Sequence, residues 1–183
     1  MRVVAISGPH GVGKTTLVNA VPPLDKPTVK FVDFDVVGIE NGYEAQLKRL
    51  RLYEKVLQSI DALADTDFVV LLDRSPYDFY PYIDKVVHDK VARRTLFAYA
   101  DQLVEEYESY SPYTVILVEP MDYVSLNIIT RGRSIDDEEA LLKSVYDEFY
   151  KLDFARRIKG RFSRTRSDAA LKIIKKFIFS NIQ

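Results

Sequence analysis

The stretch RVVAISGPHGVGKTTLVNAV, residues 2–21, constrains the fold of this chain more than any other. RVVAIS is rich in β-branched residues and stops at Gly8, as a buried parallel strand does. KTTLVNAV then reads as a helix that Pro22-Pro23 ends. Between the two, Gly8, Gly11 and Gly13 take three of the chain's 7 glycines, so a tight backbone geometry is required there. Gly8-x-x-x-x-Gly13-Lys14-Thr15 matches the G-x-x-x-x-G-K-[ST] pattern in the strand-to-helix context that its mechanism needs. The glycines let successive N–H groups point inward at phosphate oxygens, and the helix adds the positive end of its dipole. Gly8, His10, Gly11, Val12, Gly13, Lys14, Thr15 and Thr16 are therefore the candidate phosphate-binding residues. In this pattern the lysine reaches the β- and γ-phosphates and the Thr15 hydroxyl ligates Mg²⁺.

The rest of the chain repeats the alternation of strand and helix. KFVDFD (30–35), FVVLLD (68–73) and YTVILVE (113–119) are further candidate strands. Apolar residues at three- and four-residue steps predict long helices from Glu44 to Asp65 and from Ala92 to Tyr110. Helices are also expected over 123–130, 138–157 and 167–182, whereas the basic segment near residue 160 shows no apolar fifth strand. Strands separated by helices imply βαβ units, and so an α/β fold with a mostly parallel sheet covered on both faces. In such sheets ligands sit beyond the carboxyl ends of the strands. The segments after Ser7, Val32, Leu72 and Val118 are therefore the places to look for chemistry.

Composition limits the partners. With 26 basic and 27 acidic residues the net charge is -1, so no global field draws the chain to nucleic acid or an anionic membrane. Its longest apolar runs are strand-sized, MRVVAIS lacks the pattern of an export signal, and cysteine is absent; one cytoplasmic domain over residues 1–183 is expected. His10 and His88 stand apart with no acidic partner pattern and are assigned no metal.

Two further segments carry chemistry. In LLDRSPYD (71–78), Asp73 ends an apolar strand, where an acid can hold Mg²⁺ or its water, and Arg74 can reach an anion or hydroxyl of a substrate. In TRGRSIDDEE (130–139), Arg131 and Arg133 read as guanidiniums on a loop over a transferring phosphoryl group, or alternatively as a charged helix connection in which Asp136 and Asp137 cap the next helix.

Together these elements resemble the thymidylate kinase and deoxynucleoside kinase group of P-loop phosphotransferases, over Gly8 to about Tyr150. Asp73-Arg74-Ser75 is similar to the E-R-S of deoxynucleoside kinases, and Arg131, Arg133 and Asp136 match an R-x-x-x-R-x-R lid in which Asn127 replaces the first arginine. The resemblance implies a three-layer P-loop kinase fold with about five strands, an Arg-containing lid near 130–138, ATP and Mg²⁺ as cofactors, a nucleoside or nucleoside monophosphate acceptor, and a homodimer. His10 stands where thymidylate kinases often carry an acid, so the acceptor-side carboxylate must come from the end of the second strand, where deoxynucleoside kinases have theirs. Asp33 and Asp35 share a strand face there; alternation does not choose between them, and Asp33, directly after Phe31-Val32, is favoured. Two rival readings are a nucleotide switch, since DVVG at 35–38 matches D-x-x-G although no N-K-x-D motif occurs, and a polynucleotide-end kinase or nucleic-acid-binding P-loop ATPase using the basic segment Arg156 to Arg166. Phe79, Tyr80 and Tyr82 in DFYPY could stack a base, or be core.

Overall fold

The fold was read from a computed structural model, which describes residues 1–32, 42–130 and 139–179. Five strands, β1 (Arg2–Ser7), β2 (Thr28–Phe31), β3 (Val69–Leu72), β4 (Tyr113–Leu117) and β5 (Arg161–Thr165), form one sheet in the order β2-β3-β1-β4-β5. Every pairing is parallel, with Val3 opposite Val70 and Ser7 opposite Ile116. From β1 the chain first builds outward on the β3 side and then crosses to β4. The carboxyl end of β1 is therefore the switch point where such sheets open a crevice.

Among the described residues, eight helices cover the sheet: α1 (Lys14–Ala20), α2 (Tyr43–Asp61), α3 (Phe79–Val86), α4 (Lys90–Ser109), α5 (Met121–Thr130), α6 (Glu139–Tyr150), α7 (Leu152–Arg157) and α8 (Ser167–Phe179). Alternation along β1 divides the core into two layers. Val3 and Ala5 pack with Val70, Leu72 and Ile116 beneath α2, α3, α4, α6 and α7. Val4 and Ile6 pack with Val69, Leu71, Val115 and Leu117 beneath α1 and α8. The result is the expected three-layer α/β arrangement.

Several sequence expectations need correction. β2 starts at Thr28 rather than Lys30, because Thr28 pairs with Val69; Val32 already lies beyond the strand and is 40% exposed. The single helix expected over 138–157 is two, broken at Lys151, whose ψ of 145° is extended. A fifth strand does exist within RRIKGRFSRTR, at the sheet edge, and its side chains are exposed or half-buried; a polar sequence suffices there. Its arginines are engaged locally: the Arg161 guanidinium lies 4.9 Å from the Phe177 ring centre and Arg164 Nη2 donates to Tyr150 O at 3.1 Å. The segment after Arg74, read from the sequence as a cluster of rings, forms a 3₁₀ turn (Pro76–Asp78) running into α3. Phe79 and Tyr80 are buried core residues there, Phe79 edge-on to Tyr53 and Tyr80 stacked on Phe97.

Candidate functional site: a phosphate loop clasped by the third strand

At the carboxyl end of β1 the loop takes a path only glycine accepts. Gly8 has φ +143°, and a Cβ there would stand 3.1 Å from Leu117 O. Gly13, at φ +97°, turns the chain into α1, so the helix N-terminus opens toward the loop. Val12 is fully buried in the core and anchors the loop from below, Gly11 is buried at φ +78°, and His10 is 8% exposed. Lys14 is folded inward, donating through Nζ to Gly8 O at 2.9 Å and Pro9 O at 2.8 Å. Its ammonium is thus held over the loop itself. Thr15 is half-buried in the first turn of α1 and Thr16 is exposed.

β3 supplies the second side. Thr15 Oγ1 donates to Asp73 Oδ2, while Asp73 Oδ1 is buried and has no hydrogen-bond partner among the described residues. A carboxylate that is 4% exposed with one oxygen unpaired is costly unless something else approaches it. Hard oxygen donors from a hydroxyl and a carboxylate suit Mg²⁺, which takes few protein ligands and keeps waters and phosphate oxygens. Thr15 and Asp73 therefore fit that ion. The sequence had named both residues, and the structure brings them together.

Arg74 follows with φ +154°, a conformation that non-glycine residues avoid. Three groups hold it: Tyr53 donates its hydroxyl proton to Arg74 O at 3.2 Å, the guanidinium carbon lies 5.7 Å from the Tyr82 ring centre, and Arg74 Nη1 stands 3.9 Å from Asp78 Oδ2. Sequence reasoning missed Asp78. It is 1% exposed, accepts from the Ser7 hydroxyl, from Ser75 Oγ at 3.2 Å and from Gly8 N at 3.3 Å, and so fixes the start of the loop. Burial pushes its carboxyl pKa up to about 6, against the opposing pull of Lys14, Arg74 and these hydrogen bonds. Tyr82 was named only as a ring; its hydroxyl also accepts the His10 N–H at 3.1 Å.

Gln46 was likewise missed. It is wholly buried, and both ends of its amide lack partners among the described residues. Spacings of four and three place it with Leu50 and Tyr53 on one stripe of α2, two turns before the tyrosine that holds Arg74. Asp33, Asp35, Arg131 and Arg133 lie outside the described residues. A cleft of about 540 Å³ between α3, α4, α6 and α7, lined by Tyr80, Phe97, Phe154 and Arg157 among others, is separate from the phosphate loop: neither loop residues nor Asp73 to Asp78 line it.

No family model and no curated protein matches the chain. Solved structures do. Deoxyadenosine kinase from M. mycoides with bound dATP is 18% identical over 98% of this chain and 100% of that one, with a TM-score of 0.69. Thymidylate kinase from Candida albicans is 17% identical over 97% of this chain and 90% of that one, at 0.55. The YorR protein from Bacillus subtilis, in complex with phosphorylated GDP, is 14% identical over 96% and 95%, at 0.59. At such identities the likeness is one of architecture: this chain has the fold of the P-loop nucleoside and nucleotide kinases.

Proposed function

We propose that this chain is an ATP- and Mg²⁺-dependent kinase that transfers the γ-phosphoryl group of ATP to a nucleoside or nucleoside monophosphate. One observation carries the reading: the Thr15 hydroxyl and the half-unpaired Asp73 carboxylate meet beside a glycine loop that holds an inward lysine. That is a site for a metal-bound polyphosphate. Mg²⁺ bound there would neutralise charge on the phosphates. Phosphoryl transfer needs mainly positioning and electrostatics. Lys14 would stabilise charge on the moving group, Arg74 would position the acceptor, and Gln46 offers a buried amide that the edge of a base could satisfy. By resemblance, Asp33 or Asp35 would take or orient the proton of the attacking hydroxyl, and Arg131 and Arg133 would close over the γ-phosphoryl.

The polynucleotide reading loses support, because Arg157, Arg161, Arg164 and Arg166 are spent on Tyr80, Phe177, Tyr150 and Glu119. No helix among the described residues is long and apolar enough to cross a membrane. We take residues 1–183 as one cytoplasmic catalytic domain that pairs as a homodimer; light scattering on the purified chain reads the pairing. The decisive experiment is a coupled ADP-release screen over nucleosides, nucleoside monophosphates and oligonucleotide ends. Stimulation by a nucleoside or monophosphate is expected, and no stimulation by any acceptor refutes the kinase reading.

A further inference from the structure

Asp78 and Tyr82 stand one helical turn apart, at the end of the 3₁₀ turn and inside α3, and each touches the same two things. Asp78 accepts the Gly8 N–H and faces the Arg74 guanidinium. Tyr82 accepts the His10 N–H through its oxygen and underlies the same guanidinium with its ring. The phosphate loop and the arginine of the acceptor side, more than 60 residues apart in sequence, are therefore held by a single rigid turn. That turn is itself anchored: Asp78 is buried against Ser7 and Ser75, and the Tyr82 ring packs edge-on to Phe149 at 6.4 Å.

A shift of the loop would therefore displace the two groups that contact the Arg74 guanidinium. We infer that Asp78 and Tyr82 are positioning residues that link the two halves of the site, so that filling the phosphate loop sets Arg74 for the acceptor and binding of the two substrates is synergistic. This rests on the kinase reading above, and extends it from which groups bind to how binding of one substrate prepares the other. Neither residue touches the reacting atoms. Coupling between two sites is a free energy shared through a common element, and it acts equally in both directions.

The test uses Tyr82→Phe, which deletes the acceptor of the His10 N–H while keeping the ring beneath Arg74 and against Phe149, and Asp78→Asn, which keeps the shape and removes the charge. Calorimetry would measure the affinity of deoxyadenosine and of dTMP with and without Mg²⁺·AMP-PNP. In the wild-type chain AMP-PNP should tighten the bound acceptor by about fivefold or more. In both variants that factor should fall toward one, and in Tyr82→Phe, which leaves Asp78 holding the start of the loop, AMP-PNP alone should still bind within about threefold of wild type, a pattern that general loosening of the fold does not produce. A second measurement needs no acceptor. Hydrogen exchange in residues 73–79 should slow when AMP-PNP binds the wild-type chain and stay unchanged in Tyr82→Phe. Binding of AMP-PNP with neither synergy nor protection, or with either preserved in Tyr82→Phe, overturns the linkage and leaves the kinase reading standing. Failure of AMP-PNP to bind the wild-type chain overturns both.

Discussion

The Thr15 hydroxyl donates to a carboxylate oxygen of Asp73, 58 residues further along the chain, and so ties the first turn of α1 to the end of β3. Since the other Asp73 oxygen is buried and unpaired among the described residues, removing the negative charge should be felt by a bound Mg²⁺ before it is felt by the fold. Asp73→Asn is expected to raise the Mg²⁺ concentration for half-maximal turnover by about tenfold or more, the lower end of what partners in a metal site contribute. A Mg²⁺ titration of ADP release checks it, and an unshifted midpoint removes Asp73 from the metal site.

Lys14 holds two loop carbonyls, but the loop's path is set by glycine dihedrals and by Val12 in the core. Lys14→Ala should therefore keep its circular dichroism spectrum while kcat falls by about 10²–10³-fold, as for loss of one preorganised charge donor. Near wild-type turnover in the folded variant would exclude the site.

Asp78 gives a pH signature. Its folded pKa, about 6, lies above the ordinary 3.8, so the folded chain holds this proton more tightly than the unfolded one. The stability this contributes is complete below about pH 4 and is lost as pH rises through about 6. Asn at this position mimics the neutral acid and has no such loss. The Tm of Asp78→Asn minus that of wild type should therefore climb between pH 4 and 6.5, and a flat difference means the carboxylate is not raised. Asp67 and Glu148, whose pKa values are lowered by Lys26 and by Lys151 and Lys85, act in the opposite direction in both proteins and cancel in the difference.

What the sequence revealed of this site followed physical range. Strands β1, β3 and β4 are legible as apolar runs because both their faces are covered; β5 is not, because a half-covered edge strand can carry polar residues such as Arg161 and Arg164. The break at Lys151 leaves no trace in the periodicity, since lysine suits a helix. Gly8, Lys14 and Thr15 are legible because their spacing along the chain is itself the geometry. Asp78 and Tyr82 are not, because their meaning lies in Ser7 and His10, 71 and 72 residues away. Gln46 looks like any polar helix residue until the fold buries it.

If Arg131 and Arg133 form the lid that the resemblance implies, they separate phosphoryl transfer from nucleotide binding alone. In a loose transition state charge gathers on the moving group, and guanidiniums placed there stabilise it more than the resting complex. Arg131→Ala and Arg133→Ala should each slow turnover by about 10³-fold or more. Nucleotide affinity should change by less than about fivefold, because an interaction made mainly in the transition state adds little to resting binding. Lysine should rescue poorly, lacking the planar fork. Single-turnover rates and nucleotide Kd values, measured together, decide; unchanged rates leave TRGRSIDDEE as a charged connection.

Gln46 allows stability and function to be set against each other. A buried amide with neither end paired among the described residues costs about 1–3 kcal/mol relative to one that is satisfied, and leucine has nearly its volume without its polarity. If the amide exists to meet an acceptor, the free enzyme bears that cost and recovers it on binding. Gln46→Leu should then stabilise the free chain, raising Tm by roughly 2–4 °C for each kcal/mol regained in a domain of this size. The same change should raise the KM of the best acceptor by about tenfold, the loss of one good hydrogen-bonding pair, with the KM for ATP unmoved. Thermal melts and acceptor titrations on one preparation test both halves. A less stable variant with an unaltered acceptor KM would mean that Gln46 serves the fold, and that the acceptor is read by other groups.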